Sequence, residues 1–65
     1  MNVGENIRKY REKAGMSQKA LAEAVFVDQA MICKVEKGIK LPSLPLSMAI
    51  AKALGCTMDE LTASA

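Results

Sequence analysis

The chain has 65 residues, 51% of them hydrophobic, and a formal net charge of +2 at pH 7. That length predicts one domain over residues 1–65, and a domain near this size hides only about 60% of the surface its unfolded chain exposes. The apolar content excludes disorder, while the chain is too short to enclose a substrate pocket. Tyr10 and Phe26 are the only aromatic residues and His is absent, so the core must be aliphatic and rich in Ala, which favours closely packed helices over a sheet. Cys33 and Cys56 stand far apart with no His to assist them, short of the roughly four ligands of a zinc site. Free thiols, no metal and no cofactor are the expectation. No apolar run approaches the roughly 18–20 residues of a membrane span. Residues 1–13 are polar and charged rather than signal-like, which predicts a cytoplasmic protein sharing a compartment with DNA.

Helix punctuation is clear along the chain. Val3, Ile7, Tyr10 and Ala14 recur at helical spacing, with Arg8, Lys9, Glu12 and Lys13 on the other face, which predicts a helix over 4–14. Gly15 suits the left-handed residue that ends it. Ser17 is a good N-cap for a second helix over 18–25, burying Leu21, Ala22 and Val25. Phe26 and Val27 lead to a further N-cap, Asp28, and a third helix over 29–37 that buries Ile32 and Val35 and closes at Gly38.

Ile39 to Pro42 reads as extended, because a residue before proline avoids the helical region. Ser43 then caps a fourth helix over 44–54, with Pro45 in its first turn, where a missing amide costs little. Its apolar stripe is Leu46, Ala49, Ile50, Ala53 and Leu54, and Gly55 ends it. Thr57 and Glu60 have the spacing of a capping box, so a short fifth helix covers 58–62. The tail, 62–65, is expected to fray. The reading is all-α: a five-helix bundle in which the second and third helices, joined by about three residues, form a helix-turn-helix.

Charge divides this bundle. Eight of the nine basic residues and five of the seven acidic ones precede Leu41, leaving the first two-thirds positive and attractive to a phosphate backbone. With Ile32 and Val35 inward, Gln29, Ala30, Cys33 and Lys34 point outward, with Met31 at the margin. Gln29 can pair with adenine through two hydrogen bonds, Lys34 can donate to guanine, and Ala30 can meet a thymine methyl. At the start of the second helix, Gln18 lies beside free amides suited to a phosphate, with Lys19 next to it. At the end of the third, Lys37 and Lys40 add charge, Gly38 can bring a backbone amide close to a phosphate, and Ser43 can face the backbone. Leu44, Met48, Met58 and Leu61 fall in the less charged C-terminal third and are candidates for a dimer face.

The runs Ser17-Gln18-Lys19-Ala20-Leu21-Ala22-Glu23, Asp28 to Ile32, Val35-Glu36-Lys37-Gly38, Pro42-Ser43-Leu44 and Ala51-Lys52-Ala53-Leu54-Gly55 closely resemble the Cro/phage-repressor family, also called the xenobiotic-response-element family. The resemblance spans about residues 7–61. It implies a third helix in the major groove and a second across the DNA backbone. It matches Gln29, Ala30 and Lys34 to base readers, and Gln18 to a residue that binds phosphate and braces the first reader. It also matches Arg11 and Glu36 to a structural ion pair. In two places the chain departs from the family. Phe26 stands where the family often carries Gly, and a Phe at positive φ is strained, so a modified turn with Phe26 tucked onto the core is expected. Lys37 stands where Asn is usual.

The resulting expectation is a sequence-specific regulator of double-stranded DNA, a repressor of phage or mobile-element style. It would be bacterial or phage-encoded and nucleoid-associated, and would bind a palindromic operator as a homodimer. No small-molecule ligand is evident. The alternative is an antitoxin-like protein-interaction module of the same fold. With no nucleophile–base pair and no Gly-rich phosphate loop, an enzyme is not expected.

Overall fold

The computed structural model describes residues 3–63. They form five helices: α1 (Val3–Lys13), α2 (Gln18–Ala24), α3 (Gln29–Glu36), α4 (Leu44–Leu54) and α5 (Met58–Thr62). Helix limits fall within one residue of those read from sequence, and the starts of α2 to α5 each carry their own capping side chain. Ser17 Oγ accepts from the Ala20 amide at 2.9 Å, Asp28 Oδ1 from Met31 at 2.9 Å and Ser43 Oγ from Leu46 at 3.2 Å. Thr57 and Glu60 exchange bonds of 3.0 and 2.9 Å, completing the capping box. A cap of this kind typically contributes about 1 kcal/mol. Thr62 is helical and Ala63 extended; the expected fraying of residues 64 and 65 lies outside the described residues.

The first four helices all end in one way. In each, the amide of the left-handed residue bonds the carbonyl three back, and the next amide bonds the carbonyl five back from itself. The pairs are Gly15 to Glu12 with Met16 to Arg11, and Phe26 to Glu23 with Val27 to Ala22. Gly38 to Val35 with Ile39 to Lys34, and Gly55 to Lys52 with Cys56 to Ala51, repeat the pattern. This is the Schellman closure, whose left-handed position glycine fills without a Cβ clash. Phe26 occupies it with φ 61, the one positive-φ residue other than glycine among those described. A left-handed L-residue costs roughly 1–2 kcal/mol. The expectation of a modified turn with Phe26 on the core is therefore overturned. The turn keeps the left-handed geometry, and that geometry leaves the ring 94% exposed.

Ile7, Leu21, Ile32, Val35, Ile50 and Leu61 are fully buried, so every helix contributes to one core. Leu61 is thereby removed from the candidate dimer face: α5 has only five residues and turns Leu61 wholly inward. Met58 is half-buried against the same core, whereas Leu44 and Met48 are exposed. Ala14, expected on the buried face of α1, is exposed because it lies in the closing turn. Two polar side chains find backbone partners, one within α4 and one across the bundle. Ser47 Oγ donates to the Ser43 carbonyl at 2.9 Å, and Asn6 Nδ2 donates to the carbonyls of Leu61 at 2.9 Å and Ala63 at 2.8 Å. Asn6 thus satisfies carbonyls at the end of α5, a long-range cap that no local pattern reveals.

α1 also meets α3 at a close backbone approach. A Cβ on Gly4 would fall 2.3 Å from the Val35 carbonyl oxygen and 2.8 Å from that of Glu36. Only glycine allows the start of α1 to sit on the last turn of α3 at this distance.

Candidate nucleic-acid interface

α3 is anchored by its inner row and open on its outer one. Ile32 and Val35 are at 0% and 1% exposure. One turn apart on the opposite side, Ala30 and Lys34 are exposed, as is Gln29 at the first position. Met31 and Cys33 lie half-buried at the margins, and Met31 packs against the core. The three residues assigned as base readers therefore share a solvent-facing surface. The Asp28 cap keeps the helix start regular beneath them.

The end of α3 is held by a buried network. Arg11 Nε donates to Glu36 Oε2 at 2.6 Å and Nη2 to Oε1 at 3.0 Å, while Nη1 donates to the Met16 carbonyl at 2.8 Å. Both residues are buried. The hydrogen bonds to Glu36 push the Arg11 guanidinium further above its ordinary range, outweighing the opposing effect of burial. Glu36 Oε1 also accepts from Gln18 Nε2 at 3.1 Å. This corrects one expectation: the Gln18 amide is engaged with Glu36 rather than bracing Gln29. A single carboxylate thus ties together α1, the start of α2 and the end of α3, fixing the angle between the two helices of the helix-turn-helix.

Around this clamp the charge is basic. Lys19, Lys37 and Lys40 are exposed beside α2 and α3, and Ser43 is exposed at the start of α4. Lys37 and Lys40 line a cleft of about 280 Å³ between the start of α1 and residues 37–42, with Glu5 on its rim. The Gly38 amide, expected to be free for a phosphate, donates to the Val35 carbonyl at 3.1 Å. Its part here is to turn the chain. Of the acidic groups nearby, Glu36 is neutralised by Arg11 and the Asp28 carboxylate is turned to its own helix.

Elsewhere, Lys13 Nζ lies 5.7 Å from the Tyr10 ring centroid. Burial, and then the neighbouring Glu60 charge, raise the Tyr10 hydroxyl above its ordinary pKa. Glu60 itself is held below the usual carboxylate range, chiefly by the Thr57 amide. Both cysteines are free, and burial pushes the Cys56 thiol up. Among the described residues, no three His, Cys, Asp or Glu gather as a metal site, and no helix is long and apolar enough to cross a membrane.

A core-anchored α3 with a polar outer row, braced by α2 across a three-helix carboxylate clamp, defines a helix-turn-helix protein. The helix-turn-helix family model matches residues 7–61, and the chain belongs to that family, in its Cro/phage-repressor type. An HTH-type transcriptional regulator of Methanothermobacter thermautotrophicus, itself uncharacterized, is 47% identical over 49 residues, covering 75% of this chain and 71% of that protein. Among solved structures, the P22 c2 repressor in complex with a synthetic operator superposes with a TM-score of 0.88 at 34% identity, covering 94% of this chain and 92% of that one. The restriction-modification controller protein C.AhdI of Aeromonas hydrophila superposes at 0.87 with 32% identity, covering 92% and 91%.

Proposed function

We propose that the chain is a sequence-specific double-stranded DNA-binding regulator, a repressor, that lays α3 in the major groove. The observation that carries this reading is the outer row Gln29, Ala30 and Lys34 on a helix whose inner row is fully buried. Such a helix presents its side chains to base edges at a fixed height and angle, which direct readout requires. Gln18, Lys19, Lys37, Lys40 and Ser43 surround it as phosphate contacts. Gln18 reaches the backbone while its amide stays tethered to Glu36, so phosphate binding and helix orientation share one group. Lys37 and Lys40 serve as mobile point charges that set affinity and leave sequence preference to α3.

One module of this size reads few base pairs. Two copies about a two-fold axis would read a palindrome whose half-sites lie about one helical turn, roughly 34–36 Å, apart. Leu44 and Met48, at 66% and 55% exposure, are the apolar side chains offered for that axis. The P22 c2 repressor, similar along nearly all of this chain, is bound to operator DNA in its solved structure. The protein acts as a regulator rather than an enzyme, in the bacterial or phage-infected cytoplasm where the nucleoid lies. In-vitro selection from random duplexes tests the reading. A symmetric consensus is the expected outcome, and enrichment of no sequence would overturn it.

A further inference from the structure

We infer that Phe26 and the groove beside it form a contact between two copies of this chain, on a surface separate from the DNA-facing one. Phe26 projects from the turn between α2 and α3 with its ring almost wholly in solvent. It holds the left-handed position that glycine fills at the ends of α1, α3 and α4. A residue kept in a strained conformation without packing in its own fold points to a role outside that fold.

The ring's surroundings identify the occupant. Phe26 stands at the edge of an open groove of about 500 Å³ whose other walls are Ala24, Val25, Ala49, Lys52 and Ala53. Ala49 and Ala53 lie one turn apart on α4 and carry nothing beyond Cβ, so the wall is shallow and flat enough for an aromatic ring. A protruding ring next to an open apolar groove with room for such a ring is self-complementary. A two-fold axis places each Phe26 in the other copy's groove. Charge agrees with this pairing. Lys52 lines the groove, and Glu23 is exposed on α2, its carbonyl bonded to the Phe26 amide. The two-fold therefore sets Lys52 of one copy towards Glu23 of the other.

Area sets the strength. Two aromatic rings at about 150–250 Å² each, with the groove walls they cover, bury roughly 600–1,000 Å² in all. That falls short of the roughly 1,200–2,000 Å² of stable complexes. The contact is weak between free copies and becomes effective between copies already held close together. Gln29, Ala30, Lys34 and Lys40 do not line the groove.

The test is a dilution series of the full chain followed residue by residue by amide NMR, alongside Phe26→Gly. Glycine suits the Schellman position, so the variant keeps the turn and should melt at or above the wild-type temperature in dilute solution. The Ala24, Ala49 and Ala53 amides are expected to shift with concentration in the wild type. In Phe26→Gly the association they report should weaken about tenfold or more. Shifts at Leu44 and Met48 report the other proposed face and should survive, which separates the two readings. Groove amides that ignore concentration, or that move equally in Phe26→Gly, overturn the proposal. So does a variant that melts below the wild type, since the ring would then be packing within its own monomer.

Discussion

Arg11 and Glu36, 25 positions apart in the chain, meet side by side inside the bundle, Nε on Oε2 at 2.6 Å and Nη2 on Oε1 at 3.0 Å. Gln18 joins the same carboxylate at 3.1 Å, so removing Arg11 leaves a buried charge with one neutral donor. Arg11→Ala is expected to cost about 3–5 kcal/mol. That is a large part of the roughly 3–10 kcal/mol that stabilises a domain of this size. Urea unfolding measures it. A loss below about 1 kcal/mol, the value of an exposed pair, would show that the clamp is solvated in solution. Replacing both residues with apolar side chains should cost less than removing either alone.

Gly4→Ala should destabilise although alanine is the better helix former. The propensity gain is about 1 kcal/mol. Against it, the new methyl would stand 2.3 Å from the Val35 carbonyl oxygen, a backbone atom with no rotamer to change. α1 must lift from α3, and overpacking of this kind costs about 1–3 kcal/mol, more if the clamp beneath loosens. Thermal melts of the two proteins decide the sign. A higher melting temperature for the variant would mean that α1 sits further from α3 than described.

These two sites mark where the sequence was legible and where it was not. Helix limits could be read because Ser17, Asp28, Ser43 and Thr57 each act on an amide three residues away. The outer row of α3 could be read from the 3.6-residue period once Ile32 and Val35 were placed inward. Gly4 is not legible in this way, because an isolated glycine in a helix signals only weakness until its neighbour is known, and Val35 is 31 positions on. Asn6 and Gln18 act at similar range, across 55 and 18 positions. Leu61 reads equally well as core or as dimer face, because five residues are too few to show a buried stripe. Phe26 departs from expectation for a different reason. Steric cost argues against a left-handed Phe, yet two closing hydrogen bonds and the four-residue connection to α3 hold the backbone there.

Tyr10, the only tyrosine, makes the α1–α5 contact measurable by absorbance titration. Burial comes first among the causes of its raised pKa, followed by the Glu60 charge. The hydroxyl should titrate above the ordinary tyrosine value, and Glu60→Gln should bring it part of the way back. A raised folded-state pKa contributes stability that is full below the unfolded value. That stability is lost as pH rises through the folded one, so Tyr10 weakens the fold on the alkaline side. Glu60 has the opposite sign: its lowered pKa contributes stability above the unfolded carboxylate range, lost as pH falls through the folded value. A Tyr10 titration unchanged by Glu60→Gln would mean that the two side chains are apart in solution.

Gln29 and Lys40 should fail in different ways when replaced, because one is assigned to bases and the other to phosphate. Gln29→Ala removes a side chain that can hold adenine through two bonds, and should cost about 1–3 kcal/mol on the selected sequence and little on random DNA. Its salt dependence should stay that of the wild type, since no phosphate contact is lost. Lys40→Ala should weaken both DNAs by a similar factor. It should also flatten the slope of log affinity against log salt by about 0.9 for each bound copy that loses a phosphate contact. Lys40 suits this part because it follows the closing turn of α3 on an exposed segment, where a flexible side chain can follow the backbone but cannot hold one base edge. Binding curves for the two variants on both DNAs, at several salt concentrations, separate the roles. Loss of sequence preference in Lys40→Ala, or equal loss on random DNA in Gln29→Ala, would reverse the assignment. A wild-type affinity that ignores salt would instead point to a protein partner on the α3 face.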